Sequence, residues 1–256
     1  MATLASRRAG LAPDTGFFMA MAIVMAAINV LAFSVFALMG ISSFGAPLYV
    51  HVHAITFFGW VAIYVTQTAL AATGSLALHR KLGWFATGYT LWMVVMGTLT
   101  TVYTSQRGLT PPIFTPVYFL VMNPLGVLCF ATMIFAAVAV RANTGWHRRL
   151  IYCAMASIMG PAFGRLLPPQ LTMSPNGIVI LVAALCSFIV IGMVRDLVAH
   201  RRVHPAWVVG LAVVSLQWFA FDLIAKSPLG VSIYDSVVAG TPGAAKPALE
   251  KASFPG

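Results

Sequence analysis

The sequence contains very few charged residues, and acidic residues are the scarcest among them. Only 8% of its 256 residues are charged, 5 residues are Asp or Glu, and 60% are apolar. Soluble domains carry about a quarter charged residues. Together with a mean hydropathy of +0.92, this composition excludes a water-soluble globular protein and predicts that most of the chain lies in a lipid bilayer.

The chain also lacks the motifs of several enzyme classes. It has no phosphate-binding glycine loop, no H-E-x-x-H sequence and no closely spaced pair of carboxylates, which argues against nucleotide-driven pumps and hydrolases. Its three cysteines, Cys129, Cys153 and Cys186, lie in apolar runs without a C-x-x-C spacing. We therefore interpret them as small buried apolar residues.

Basic residues outnumber acidic ones and give a net charge of +10. They stand in short clusters between apolar runs, which is typical of topology signals and not of a nucleic-acid partner. A cytoplasmic N-terminus places the main clusters on one face of the membrane: Arg7/Arg8, His79-Arg80-Lys81, Arg148/Arg149 and Arg201/Arg202. The positive-inside rule thus predicts this orientation in a bacterial inner membrane.

Apolar stretches predict an all-α bundle of about seven transmembrane helices that forms a single domain over residues 1–226. The helices lie near 16–40, 48–74, 84–105, 114–141, 149–167, 177–198 and 206–226. Kinks are predicted at Pro116 and Pro124 and at Gly160-Pro161. An odd number of helices places residues 227–256 in the periplasm, and their Pro, Gly, Ala and Ser content predicts a loosely ordered tail.

Four scarce polar residues fall within one or two turns of the outer membrane face: His51, His53, Arg165 and Asp222. Ionisable residues in a membrane are costly and mark candidate sites. His51, His53 and Asp222 would suit zinc, copper or iron if the His-x-His segment is locally extended, because residues two apart on a helix point in different directions. Arg165 and Asp222 most simply form an ion pair.

Helix two carries a stripe of polar and aromatic residues at helical spacing. It consists of His53, Phe57, Trp60, Tyr64 and Gln67. One interpretation is packing between helices, with Gln67 hydrogen-bonded to Asn29, Asn123 or Gln217. The other is a cavity in which His53, Trp60, Tyr64, Gln67 and Arg165 bind a flat lipophilic molecule such as a quinone, a haem or a polyene.

His79 and His147 are the one pair suited to two axial haem ligands, because they lie on different helices at similar cytoplasmic depth. The flanking arginines also fit a role in anchoring or lipid contact. The segments that contain them are similar: His79-Arg80-Lys81-Leu82 opens helix three and His147-Arg148-Arg149-Leu150 opens helix five. Either a duplicated two-helix unit or the positive-inside rule alone would produce this similarity.

One pattern covers about half of the chain, from helix two to helix five. It comprises His51-x-His53, Trp60, Gln67, Leu78-His79-Arg80-Lys81-Leu82-Gly83-Trp84, His147-Arg148-Arg149-Leu150 and Arg165. This pattern resembles that of a widespread group of uncharacterised bacterial multi-span membrane proteins. The group has no settled activity, so the resemblance implies which residues to test and not what they do.

A narrower pattern lies at the end of helix seven, where Asp222 precedes Lys226 by one turn. It resembles the last helix of microbial rhodopsins and heliorhodopsins, and the resemblance implies a retinal bound to Lys226. Helix three has no Asp or Glu as a counter-ion, however, and Lys226 falls at the helix end. An interfacial lysine that reaches toward the head groups explains the same residue.

Three functional hypotheses follow from the sequence. In the first, the outer His/Arg/Asp pocket binds a metal or a lipophilic redox molecule for electron transfer or oxidation. In the second, the chain is a non-catalytic subunit of a larger membrane complex. The third is a transporter or a retinal-binding receptor.

Overall fold

A computed structural model describes residues 13–42 and 44–251, so Arg7 and Arg8 lie outside the described residues. These residues form ten α-helices and one 3-10 helix, without a β-strand among them. The helices are α1 Pro13–Leu38, α2 Leu48–Ala72, α3 Leu76–Gln106, α4 Pro116–Ala139, α5 Thr144–Ser157, α6 Gly160–Leu166, α7 Pro169–Thr172, α8 Gly177–His200, α9 Pro205–Lys226 and α10 Pro228–Val238, and the 3-10 helix is Pro242–Ala245. The predicted all-α class is confirmed.

Six helices are long and apolar enough to cross a membrane: α1, α2, α3, α4, α8 and α9. The prediction of a multi-pass membrane protein is supported at this level. The predicted fifth span is divided into α5 and α6, which are separated at Ile158 and Met159. The division falls directly before Gly160-Pro161, because proline lacks the amide that would continue the helix. Pro116, by contrast, begins α4, where a missing amide proton costs nothing.

Helix α4 lies at the centre of the bundle and packs against α3, α5, α9 and α10. Helix α1 packs against α2 and α6, and α8 packs against α9 and α5. Helix α3 begins at Leu76, eight residues before the predicted boundary. His79, Arg80 and Lys81 therefore lie in its first turns and not in a loop. This earlier start places the first histidine cluster on a rigid helix.

The C-terminal segment contains two short helices, α10 and the 3-10 helix. A loose tail was predicted for residues 227–256. Helix α10 buries Tyr234, whose hydroxyl donates to the Gly243 carbonyl at 3.2 Å. Gln106 Nε2 at the end of α3 donates to the Val237 carbonyl at 3.1 Å. The Val117 amide, at the start of α4, donates to the Ala248 carbonyl at 3.0 Å. The segment therefore covers one end of α3 and α4.

The contact between α8 and α9 depends on Gly192. A Cβ atom at this position would collide with the ring of Trp207, which is fully buried. We expect Gly192→Ala to destabilise the protein by about 1–3 kcal/mol, because the rigid indole has no space to move into. The thermal unfolding midpoint in detergent measures this effect. Gly88→Ala is the matched control, since its Cβ would meet no atom within 4 Å and the change should be neutral or slightly stabilising.

Candidate functional site

The structure brings His79 and His147 together. His79 lies in the first turn of α3 and His147 in the first turn of α5. Their ring centroids are 6.3 Å apart and their planes cross at 87°. Both residues are partly buried. This arrangement, which we call the histidine pair, brings together two imidazole rings from different helices.

Each ring of the histidine pair is fixed through its Nδ1 atom. His79 Nδ1 lies 3.2 Å from the Gln67 carbonyl oxygen, and His147 Nδ1 lies 2.8 Å from that of Ala137. A carbonyl oxygen can only accept a hydrogen bond, so Nδ1 carries the proton in each neutral ring. The Nε2 lone pair of each ring is then free. Donation of one ring nitrogen to a backbone carbonyl is the usual way in which a metal-binding histidine is held.

The two helical hairpins that carry the pair are similar but not identical in spacing: the acceptor precedes the histidine by 12 residues in the first and by 10 in the second. The acceptors Gln67 and Ala137 lie on α2 and α4, and Trp60 and Phe130 precede them by seven residues each. The rings of Trp60 and Phe130 also contact each other, with centroids 5.0 Å apart. The duplicated two-helix unit and the positive-inside rule both stay open as explanations of the two similar segments.

An ion pair next to the histidine pair fixes α5 in the bundle. Arg149 donates to both carboxylate oxygens of Asp196, at 2.9 and 2.7 Å, and both side chains are nearly inaccessible. Asp196 also accepts from Trp207 Nε1 at 2.9 Å and from the His204 amide at 3.3 Å. Burial, and then repulsion from Arg149, lowers the pKa of His204. A neutral His204 ring can accept from the Ala206 amide through Nδ1.

A second carboxylate, that of Asp14, links α1 to basic residues of α5 and α8. Asp14 pairs with Arg148 of α5 and with Arg195 of α8. His200 Nε2 also lies 3.0 Å from Asp14. We call these residues the ionic clamp: Asp14, Arg148, Arg149, Arg195 and Asp196. The sequence offered only the scarcity of acidic residues as a signal for it, because the partners lie on helices far apart in the chain.

The predicted outer metal ligands are not brought together. Both His51 and His53 lie on helix α2, so the extended segment that a His-x-His chelate requires is absent. His51 Nε2 lies 3.1 Å from the Phe44 carbonyl oxygen. Among residues 13–42 and 44–251, no group of three or more His, Cys, Asp or Glu side chains could hold a metal ion. The site formed by His51, His53 and Asp222 therefore has no support in the structure.

Asp222 and Arg165 do not form the predicted ion pair. Asp222 accepts from Lys226 Nζ at 2.7 Å, one turn away on α9, and both side chains are exposed. Arg165 instead lies over the Phe33 ring, 4.2 Å from its centroid, and donates to the Pro161 carbonyl at 2.8 Å. Lys226 is 68% exposed, so the structure gives no support to a retinal at this lysine.

The stripe on α2 faces the bundle interior. Trp60 and Tyr64 are buried, and the Gln67 amide lies beside Gly83 of α3. Gln67 Oε1 has no hydrogen-bond partner among the described residues. Of the amides expected to pair with it, Asn29 and Asn123 donate to carbonyls of their own helices. The expected hydrogen bonds between amide side chains are therefore not formed among the described residues.

Several other buried polar atoms in the described part of the chain also lack a partner. They are His53 Nδ1, Trp60 Nε1, Thr100 Oγ1, Ser105 Oγ, Tyr118 OH, Arg148 Nε, Arg165 Nε, Gln217 Oε1 and Trp218 Nε1. Buried polar atoms in proteins are almost always hydrogen-bonded, and the exceptions point to water or a ligand. The interior of the bundle is therefore equipped to bind polar groups.

Comparison with known proteins assigns no family to the chain. No protein-family model, curated protein or solved structure matches it. The resemblance to the group of bacterial multi-span membrane proteins therefore stays a prediction.

Proposed function

We propose that the protein is an electron-transfer protein of the bacterial inner membrane that binds one haem between His79 and His147. The observation that carries this proposal is the histidine pair itself. Its two rings come from different helices, each is held through Nδ1 by a backbone carbonyl, and each leaves Nε2 free. Two histidines from different helices, His79 and His147, would hold such a group.

The separation of the rings fits a shared metal. A ligating imidazole nitrogen lies about 2.0–2.1 Å from its metal, and adding the distance from nitrogen to ring centre on both sides gives a spacing of about 6 Å. The observed separation is 6.3 Å.

The number of ligands favours a haem over a bare metal ion. Zinc and copper sites use three or four protein ligands, and no group of three His, Cys, Asp or Glu side chains is found among the described residues. A haem supplies four nitrogen ligands itself and needs only axial ligands from the protein. Two histidines are then sufficient.

The basic residues beside the histidine pair support an anionic group. Arg80 and Lys81 directly follow His79 and are exposed. Arg148 follows His147, and its Nε atom is buried without a hydrogen-bond partner. The carboxylates of a haem would find charge-assisted hydrogen bonds at these side chains.

The ligands determine the kind of chemistry. Held by both His79 and His147, a haem would supply electron transfer rather than oxygen activation. The chain holds the rings rigid through Gln67, Ala137 and the ionic clamp, which keeps the reorganisation during electron transfer small. A lipophilic redox molecule in the bilayer, or a larger membrane complex, would exchange electrons with it.

The visible spectrum of the purified protein tests this function. Protein produced in haem-sufficient cells is expected to show a Soret band and, after dithionite, the sharp visible bands of low-spin haem. Extraction of the group should give about one haem per chain. A colourless protein without haem that purifies only with other proteins would refute the proposal and favour the hypothesis of a non-catalytic subunit.

We further propose seven membrane crossings, with α5 and α6 together forming the fifth, a cytoplasmic N-terminus and a periplasmic C-terminus. An α5–α6 crossing is supported by the basic clusters, because it keeps Arg80, Lys81, Arg141, Arg148 and Arg149 on the same face as Arg201 and Arg202. The histidine pair then lies at the cytoplasmic end and α10 at the outer end.

Cysteine labelling tests this topology. We expect an impermeant maleimide to label Ser236→Cys of α10 in intact spheroplasts. Ala142→Cys, in the connection between α4 and α5, should be labelled only after permeabilisation. Both positions are exposed, so a difference reports the side of the membrane; native cysteines are first replaced by alanine. Labelling of both positions from the same side would contradict the odd number of crossings.

A further inference from the structure

Arg165 is a cation without a counter-ion in the half of the bundle opposite the histidine pair. No carboxylate among residues 13–42 and 44–251 pairs with its guanidinium. Its one hydrogen bond is to the Pro161 carbonyl at 2.8 Å, and its Nε atom is buried without a partner. A charge held in apolar surroundings is costly unless an opposite charge or several hydrogen bonds compensate it.

Further unpaired polar atoms lie on the neighbouring helix. His53 of α2 is close enough to Arg165 for electrostatic interaction, and its ring also hydrogen-bonds the Met96 carbonyl of α3. Its Nδ1 atom is buried without a partner among the described residues. Trp60 Nε1 is also unpaired and lies about 10 Å deeper along α2. Helix α1 packs against both α2, which carries His53, and α6, which carries Arg165.

The surroundings of Arg165 are otherwise aromatic. Its guanidinium lies 4.2 Å from the ring centroid of Phe33 and 5.2 Å from that of Phe36, and Phe57 packs on His53 at 4.4 Å. Cation–π contacts compensate part of the cost of a buried charge. They leave the Nε proton without an acceptor, so an occupant with an anionic oxygen and an apolar body would complete the site.

We propose that Arg165 binds the anionic head group, carboxylate or phosphate, of a lipophilic molecule that enters from the outer half of the bilayer and lies beside His53. The apolar part of this molecule lies against Phe33 and Phe36. The site is independent of the histidine pair, because it lies at the other end of α2 and uses different residues. Either a single-chain carboxylate or a phospholipid of the membrane presents the required chemistry.

Binding of defined amphiphiles to delipidated protein in detergent tests this site. The probes are palmitate, the neutral hexadecanol of equal chain length, short-chain phosphatidylglycerol and inorganic phosphate, with bound mass read by native mass spectrometry. We expect palmitate, phosphatidylglycerol or both to bind at least about tenfold more tightly than hexadecanol, because a charge-assisted hydrogen bond is lost with the head group. Binding by phosphatidylglycerol alone identifies a membrane phospholipid as the occupant, and binding by palmitate identifies a single-chain acid.

Variants assign the binding to Arg165. Arg165→Gln should weaken binding of the preferred anion by about tenfold or more, whereas Arg107→Gln should leave it unchanged. Arg107 is a matched control, since it also lies over an aromatic ring, that of Tyr49, but is exposed. Arg165→Lys keeps the charge and should fold even if Arg165→Gln does not, yet it loses the Nε donor and should bind more weakly than wild type. Equal binding of palmitate and hexadecanol, binding of phosphate alone, or unchanged binding in the folded Arg165 variants would overturn the proposal.

Discussion

Replacing His79 or His147 by alanine is expected to remove the haem almost completely. Each variant would keep only one of the two histidines that are proposed to hold the haem. We expect at least about tenfold less haem per chain. Removing even a residue that only supports a metal ligand lowers metal affinity by about tenfold or more, and His79 and His147 would be the ligands themselves. Pyridine haemochrome analysis of equal amounts of folded protein measures the change. Both single variants should lose haem to a similar degree.

Two controls separate ligation from folding. His51→Ala should retain the full haem content, because His51 lies at the other end of α2 and contacts only the Phe44 carbonyl among the described residues. Imidazole added during haem loading should partly restore the low-spin spectrum of the His79 variant, since it can occupy the vacated ligand position. Full haem content in both histidine variants would show that the pair does not bind the iron, and would leave the two rings as caps of the preceding helices.

Much of the fold was predictable because apolar composition and helix spacing act locally. Six of the predicted spans appear as helices that are long and apolar enough to cross a membrane. The stripe on α2 also faces inward, since its spacing alone determines one helix face. The division between α5 and α6 follows from Gly160-Pro161, as a proline effect that depends on neighbouring residues only.

The C-terminal segment was not predictable from its average composition. Pro, Gly, Ala and Ser lower the expectation of order, but Tyr234 and Val238 stand four residues apart and form one buried face of α10. Ser227 begins this helix by accepting from the Gly230 amide at 3.1 Å. An average composition does not show that apolar residues recur on one helix face. Here that face packs α10 against α3, α4 and α9.

Some features of the candidate site could likewise be predicted from the sequence, and others could not. The similar depth of His79 and His147 followed from counting residues from the membrane face, but their contact depends on how two hairpins pack. The outer metal site was predicted from depth and from the His-x-His spacing, which would chelate a metal only if the segment were extended. Helix α2 holds His51 and His53 instead, and on a helix they point in different directions. Depth can therefore identify candidates, while the direction of each side chain decides which of them meet.

Replacing Asp196 by alanine is expected to be the most destabilising single change in the described part of the chain. Arg149 is only 3% exposed, so the variant would leave a buried, unpaired charge, which costs about 3–5 kcal/mol. Trp207 Nε1 and the His204 amide would lose their acceptor as well. We expect a strongly lowered thermal midpoint in detergent and a low yield of monodisperse protein.

The comparison with other variants identifies the cause of this loss. Asp222→Ala should change stability by no more than about 0.5 kcal/mol, because its pair with Lys226 is exposed to solvent. The double variant Asp196→Leu/Arg149→Met should recover much of the stability, since it removes both buried charges and fills their volume with apolar atoms. If Asp196→Ala is as stable as Asp222→Ala, then Arg149 reaches water at the membrane surface and the ionic clamp does not fix α5. If the double variant is stable but loses haem, the clamp positions His147, because Arg149 lies two residues after that ligand on α5.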